Sequence, residues 1–138
     1  MRIIVDTSVW SLAFRKKVKT ENEIKLIEYL SELIRDLRVV MIGPIRQEIL
    51  SGISEETKFI EMQKNLEVFS DWQIETEDYE LAAKFYNLCR KNGIQGSHID
   101  FLICAVSKNS NFSILTLDND FTNYLKYTGI KLEEKEFG

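Results

Sequence analysis

The sequence contains little cysteine, proline or glycine: two, one and six residues, respectively, in a chain of 138. So little proline and glycine excludes a collagen-like or low-complexity chain. Cys89 and Cys104 lie in apolar helical patterns, without a CxxC motif or a histidine at ligand spacing. We therefore expect two buried thiols, and neither a disulfide framework nor a zinc site. A chain of this length is expected to bury its core without covalent staples, as a single domain of residues 1–138.

Long apolar runs are absent as well. The longest, such as residues 39–43 and 101–106, are far shorter than the roughly 20 residues that a membrane-spanning helix needs. Residues 1–6 include charged side chains, which do not fit the apolar segment of a signal peptide. We therefore expect a cytoplasmic protein without a membrane partner.

The net charge of −4 argues mildly against a nucleic-acid partner, because phosphate contacts are usually made by a basic surface. The argument weakens if several of the acids belong to one metal site, since bound cations reverse the local sign of the charge. Net charge therefore leaves the kind of partner open.

Strand-like and helix-like segments alternate along the chain. Strands are predicted at 2–6, 38–42, 112–117 and 129–133, and a further short strand at 72–75. Helices are predicted at 7–14, 20–37, 44–51, 54–69, 77–91, 97–108 and 121–126. Thr20 and Glu23 have the form of a capping box, and Thr76 is the expected cap of the helix that follows it. This alternation predicts an α/β fold with a mainly parallel sheet.

Acidic residues follow two of the predicted strands. Asp6 ends the first strand, and Asp118 and Asp120 come directly after the strand at 112–117. In parallel sheets the carboxyl ends of the strands form the edge where ligands bind, so these acids are candidates for one site. The alternative is that each acid only caps the helix that begins next to it.

Two further acids lie on predicted helices. Asp100 begins an almost entirely apolar helix, where an ionised carboxylate is costly to bury without a cation or several donors. Its alternative is a first-turn acid favoured by the helix dipole. Glu48 lies on the short helix after Pro44 and could equally belong to a solvated face. Together the acids suggest a hard oxygen site for Mg²⁺ or Mn²⁺, which in such a site assists phosphodiester hydrolysis.

Four segments that carry these acids occur in a characteristic order: residues 4–8, 46–52, 97–105 and 115–121. With them the chain resembles the PIN-domain ribonucleases, and specifically the toxins of VapBC toxin–antitoxin pairs. The resemblance implies a three-layer α/β/α sandwich around a mainly parallel sheet. Each motif is short, but the four occur in the family's order, and the resemblance spans nearly the whole chain.

The resemblance also implies catalytic roles for five acids: Asp6, Glu48, Asp100, Asp118 and Asp120. In this interpretation Asp6, Asp100 and Asp118 ligate Mg²⁺ or Mn²⁺, while Glu48 and Asp120 complete the shell or position the attacking water. The expected function is therefore a metal-dependent endoribonuclease.

Supporting residues and partners follow from the same resemblance. Ser8 and Thr116 match hydroxyl positions that orient the acids or a water. The implied partners are structured RNA such as tRNA, a cognate VapB-type antitoxin and a second copy of the chain in a homodimer.

A basic loop follows the first helix. Its side chains are candidate ligands for RNA phosphates, although a solvated loop is the commoner explanation. They are Arg15, Lys16, Lys17 and Lys19. His98 is expected to have a structural or capping role, and the aromatic residues to form core or dimer contacts.

Two other classes of function fit the sequence less well, and a third stays open. Residues 115–122 also resemble the nucleophile motif of haloacid-dehalogenase-type phosphatases, but only sixteen residues follow Thr122, too few for the remaining motifs. A receiver-type signalling domain needs a phosphoacceptor aspartate on a middle strand and a lysine late in the chain, and this sequence shows no such pair. A non-catalytic PIN-like module that binds RNA or protein stays open as the alternative, although such a module would be expected to have lost the acids.

Overall fold

The computed structural model describes residues 1–133. Its centre is a four-stranded parallel sheet with the strand order β2-β1-β3-β4. The strands are β1 (Ile3–Val5), β2 (Val39–Val40), β3 (Ser113–Leu115) and β4 (Lys131–Leu132). In the register, Ile3 pairs with both Val39 and Ser113, and Ser113 pairs with Lys131. The predicted parallel sheet is therefore confirmed.

The sheet is covered on both faces. Every residue of β1 and β3 is buried, from Ile3 to Val5 and from Ser113 to Leu115. Because successive side chains of a strand point to opposite faces, such runs require packing above and below the sheet.

The described residues contain seven helices. They are α1 (Thr7–Phe14), α2 (Glu21–Arg35), α3 (Gly43–Ser51), α4 (Glu56–Leu66), α5 (Thr76–Lys91), α6 (His98–Ser110) and α7 (Asp120–Thr128). The main helix–helix contacts join α1 to α2 and α3, and α3 to α4, while α5, α6 and α7 contact one another. The result is the predicted α/β/α arrangement. None of these helices is both long enough and apolar enough to cross a membrane.

The ends of several elements differ from the predictions. Leu37 lies outside α2 with φ of 58°, and its side chain is exposed, so the predicted helix was too long. The predicted strand at 72–75 is wrong: pairing there is limited to one bridge between Met41 and Asp71, beside a hydrogen bond from the Trp72 N–H to the Met41 carbonyl. A single bridge does not continue a ladder. The predicted thiols are confirmed, since Cys89 and Cys104 are both free and buried.

Two helix caps were predicted, and one was assigned to the wrong residue. Thr20 and Glu23 form the expected capping box of α2. At α5, however, Glu75 occupies the N-cap position and its N–H donates to the Asp78 carboxylate, so the expected cap Thr76 is already the first helical residue. Asp78 is 4% exposed and accepts hydrogen bonds from the Glu75 N–H and from Asn109 Nδ2, each at 2.9 Å. This carboxylate therefore ties the start of α5 to α6.

We predict that Asp78→Ala lowers the free energy of unfolding by about 1–3 kcal/mol, because it removes both hydrogen bonds that the buried carboxylate accepts. Thr76→Ala changes an exposed residue and should stay within about 0.5 kcal/mol of the wild type. Urea unfolding followed by circular dichroism measures both. Equal losses in the two variants would contradict the assignment of the cap.

Candidate active site

The candidate site lies where β1 and β3 end side by side. The chain runs from β1 to β2 on one side and from β3 to β4 on the other, so the strand order reverses between β1 and β3. The Asp6 N–H donates to the Leu115 carbonyl at 2.9 Å and holds the two strand ends together. In α/β sheets this switch point is the usual place for a ligand.

Asp6 is held by a network of hydroxyl groups. Its carboxylate is 6% exposed, and Oδ2 accepts hydrogen bonds from Ser8 Oγ at 2.7 Å and Thr116 Oγ1 at 2.8 Å. The backbone N–H groups of Leu117 and Asp118 donate to these same hydroxyls, each at 3.0 Å. Each hydroxyl therefore has its acceptor side occupied and directs its only proton at Asp6. Ser8 and Thr116 lie where the sequence predicted supporting hydroxyls.

The alternative explanation of Asp6 as a helix cap fails. Asp6 occupies the N-cap position of α1, but its side chain makes no capping hydrogen bond. The carboxylate points instead at the hydroxyls of Ser8 and Thr116.

Glu48 reaches the site from α3. Its side chain is exposed, and Oε1 accepts a hydrogen bond from Thr7 Oγ1 at 2.8 Å. Burial by neighbouring atoms raises the pKa of Glu48, as do the charges of Asp6 and Asp100, whereas the Thr7 hydrogen bond lowers it. Glu48 therefore interacts with the other acids. The sequence analysis missed Thr7, although Thr7 lies between Asp6 and Ser8 in the first motif.

Asp100 is half-buried in the first turn of α6. Its N–H donates to Ser97 Oγ at 3.0 Å, so Ser97 caps the helix. Its carboxylate oxygen Oδ2 accepts a hydrogen bond from Tyr124 Oη at 2.7 Å. Tyr124 comes from α7 and is fully buried. Nothing in the sequence singled out Tyr124, because an aromatic residue on an amphipathic helix is indistinguishable from ordinary core.

The charges of the acids are coupled at Asp100. Burial raises the pKa of Asp100, and the charges of Asp6 and Asp118 raise it further, while hydrogen bonds from Tyr124 and Ser97 lower it. Burial also raises the pKa of Tyr124, together with its hydrogen bond to Asp100. The structure therefore brings Asp6 and Asp118 within electrostatic range of Asp100.

Asp118 and Asp120 have different surroundings. Asp118 is half-buried, and its Oδ1 accepts a hydrogen bond from the Asp120 N–H at 2.9 Å. The capping alternative therefore applies to Asp118 in part, since it holds the first N–H of α7. Asp120 is exposed at the start of α7.

The donor set fits a hard divalent cation. It consists of carboxylate and hydroxyl oxygens, which Mg²⁺ and Mn²⁺ prefer. Among residues 1–133, no three histidine, cysteine or acidic side chains are arranged as a ready-made ligand set. The acids are close enough to repel one another but are hydrogen-bonded to neighbouring hydroxyls and N–H groups instead of converging. Burial raises the pKa values of Glu48 and Asp100, and repulsion from the neighbouring acids adds to it; a cation would stabilise the charged form of both carboxylates.

Half of the basic loop lies beside the site. Arg15 and Lys16 line a cleft of about 590 Å³ that also includes Glu48. The rest of this cleft comes mainly from α3 and α4. Lys17 and Lys19 do not line it, and Lys19 Nζ donates to backbone carbonyls of the loop itself.

The remaining sequence candidates have structural contacts. His98 stacks on Tyr86 with a centroid distance of 4.7 Å, while Ser97 provides the cap of α6. Trp10 is buried and donates from Nε1 to the Val5 carbonyl at 3.0 Å, as expected for a core residue. Trp72 packs edge-on against Phe112.

The protein is of the α/β class, with a parallel sheet and acidic residues around its switch point. The chain belongs to the PIN-domain family, whose model matches residues 3–126. No curated protein sequence matches the chain.

Solved structures share this fold over almost their whole length. FitAcB from Neisseria gonorrhoeae has a TM-score of 0.76 at 17% identity, covering 96% of this chain and 97% of that chain. VapBC2 from Rickettsia felis, bound to a promoter DNA fragment, has a TM-score of 0.72 at 12% identity, covering 96% and 98%. VapBC-1 from nontypeable Haemophilus influenzae has a TM-score of 0.72 at 13% identity, covering 97% and 98%. Identities this low establish the fold alone.

We predict that Asp100→Asn stabilises the metal-free protein increasingly as the pH rises. The pKa of Asp100 is higher in the folded protein than in the unfolded chain, so its ionisation removes stability as the pH rises through the folded-state pKa. Asparagine does not ionise. The difference in unfolding free energy between Asp100→Asn and the wild type should therefore grow from about pH 4 to about pH 7.

Urea unfolding in EDTA at both pH values measures this difference. Asp36→Asn is the matched control, since it removes an exposed carboxylate at the C-terminal end of α2. A difference for Asp100→Asn that stays constant or shrinks with pH would contradict the raised pKa of Asp100 in the folded protein.

Proposed function

We propose that the protein is a Mg²⁺- or Mn²⁺-dependent endoribonuclease, as the sequence predicted. The observation that carries the proposal is that acids lie around the switch point of the sheet, where the charges of Asp6 and Asp100 act on Glu48 and those of Asp6 and Asp118 act on Asp100. Membership of the PIN-domain family supports it, because PIN domains are typically nucleases that use divalent metals.

In the proposed site, Asp6, Asp100 and Asp118 hold the metal. When bound, such an ion lowers the pKa of water and neutralises charge on the phosphoryl group. Ser8 and Thr116 fix Asp6 through Oδ2, which leaves Oδ1 without a hydrogen bond from the described residues. Asp6 therefore presents one oriented oxygen to the site.

Glu48 and Asp120 are proposed to position the attacking water. Thr7 holds Glu48 through Oε1, which leaves Oε2 to accept a hydrogen bond from that water. The raised pKa of Glu48 favours such an acceptor, because a proton acceptor acts best when its pKa is near the working pH. Asp120 lies exposed at the rim, next to Asp118.

We further propose that the protein is the toxin of a type II toxin–antitoxin pair, acts in the cytoplasm, and has a VapB-type antitoxin as its partner. Support comes from the similar fold of FitAcB and of two VapBC structures. We include in this proposal that two copies of the chain form a homodimer. An apolar groove of about 420 Å³ between α5 and α6, lined in part by Tyr79 and Leu102, supports this part.

We predict that the purified protein cuts structured RNA, such as tRNA, in Mg²⁺ or Mn²⁺ and that EDTA abolishes the cleavage. Asp100→Asn and Asp118→Asn should cleave below detection, because each removes a charged metal ligand. Asp71→Asn is the matched control with unchanged cleavage, since Asp71 pairs with Arg46 outside the site. Discrete fragments from total RNA, separated on denaturing gels, provide the measurement.

Expression in a bacterial host tests the toxin part with the same variants. Wild type and Asp71→Asn should arrest growth, and Asp100→Asn should not. Intact RNA in every metal, together with tight RNA or protein binding, would instead favour a non-catalytic module.

We predict that Lys16→Ala weakens RNA binding more than Lys17→Ala, although both remove one positive charge from the same loop. Lys16 lines the cleft that contains Glu48, and Lys17 does not. Each lost phosphate contact should reduce the slope of log affinity against log salt by about 1. Fluorescence anisotropy with labelled tRNA measures the slope in the cleavage-defective Asp100→Asn background. Slopes in both variants equal to that of the wild type would indicate that neither lysine contacts RNA and that the loop is solvated.

A further inference from the structure

Tyr124 is a fully buried residue whose hydroxyl contacts an acid of the candidate site. Its ring packs between Phe101, at a centroid distance of 4.8 Å, and Phe121, at 5.2 Å. Its Oη donates to Asp100 Oδ2 at 2.7 Å, across the contact between α7 and α6. Phenylalanine would fill the same space. The hydroxyl, which must find a partner once buried, therefore has a purpose that packing alone does not explain.

Gly96 provides the space for this hydroxyl. A Cβ atom at Gly96 would lie 2.5 Å from Tyr124 Oη, 2.8 Å from its Cζ and 2.9 Å from Phe101 Cε2. Such distances are clashes, and Tyr124 is packed too tightly to move away. Any side chain at position 96 would therefore push the phenol away from its place, and Gly96 lies immediately before Ser97, the cap of the helix that carries Asp100.

Four of the five acids of the site accept a hydrogen bond through one oxygen. Ser8 and Thr116 hold Asp6, Thr7 holds Glu48, and a backbone N–H holds Asp118. The donors to Asp6 and Asp118 lie close to their acids in the chain or at the paired strand ends, whereas Thr7 reaches Glu48 from another helix, α1. Asp100 is likewise held from another helix, by a donor on a buried ring. Ser97 also hydrogen-bonds Asp100, but from the start of the same helix. Because Asp6 and Asp118 repel Asp100, loss of the Tyr124 donor would let the carboxylate turn away from them.

We propose that Tyr124 is a positioning residue that fixes the Asp100 carboxylate for metal binding, and that Gly96 is required to seat it. The inference rests on the proposed function, since it concerns the same metal site. Hydrogen bonds that orient metal ligands typically contribute 10- to 100-fold to metal affinity.

The experiment compares Mn²⁺ affinity in Tyr124→Phe and in the wild type, by calorimetry on protein stripped of metal with EDTA. We expect Tyr124→Phe to bind Mn²⁺ about 10-fold more weakly, with unchanged far-UV circular dichroism. Tyr127→Phe is the matched control, because Tyr127 is a half-buried tyrosine of the same helix whose hydroxyl does not contact the acids. It should bind Mn²⁺ like the wild type.

Gly96→Ala provides a second variant that keeps the hydroxyl but displaces it. We expect it to weaken Mn²⁺ binding as Tyr124→Phe does. Added to Tyr124→Phe, it should weaken binding little further, because both changes break the same hydrogen bond. Losses that add fully in the double variant would contradict the shared cause.

Two results would overturn the inference, and they are distinguishable. Wild-type Mn²⁺ affinity in a folded Tyr124→Phe protein would show that the hydroxyl is structural, with the proposed function intact. Absence of Mn²⁺ binding by the wild type would remove the proposed metal site, and the positioning role with it.

Discussion

The repulsion between carboxylates at the β1–β3 switch point is the constraint on which the rest of the site depends. The acids come from different parts of the chain: the charges of Asp6 and Asp100 act on Glu48, and those of Asp6 and Asp118 act on Asp100. Burial raises the pKa values of Glu48 and Asp100, and the charges of the neighbouring acids raise them further. A fold with this arrangement must hold each carboxylate firmly, because a free carboxylate would rotate into solvent.

The fold meets this constraint with donors fixed by the backbone. β1 and β3 are fully buried neighbours, so the residues that follow them leave the sheet at one place. The hydroxyls of Ser8 and Thr116 accept hydrogen bonds from backbone N–H groups and are thereby oriented to donate to Asp6. On the other side of the site, the contact between α6 and α7 sets Tyr124 against Asp100. The core and the site are therefore built from the same contacts: the strands and helices that bury apolar surface also place the donors.

The acids were accessible to sequence reasoning because each stands out locally. Asp6 ends an apolar run, and Asp100 interrupts an apolar helix, which makes both unusual in their own surroundings. Thr7 and Tyr124 were missed for the opposite reason. A threonine at a helix start and a tyrosine on an amphipathic helix are ordinary, and what distinguishes them is a partner 41 or 24 residues away in the chain. The errors at Thr76 and Leu37 are also local, since several neighbouring residues could cap or end those helices.

Local sequence patterns predict the alternation of strands and helices, the parallel sheet and the candidate acids, because periodicity and strand-end acids are properties of short segments. They leave open whether Asp6 is a cap or part of a site, and which oxygen of each acid is held. Tertiary structure decided these points, since hydrogen-bond partners depend on distances between elements that no local pattern contains. The same is true of Gly96, whose role follows from the position of one phenol ring brought to it by another helix.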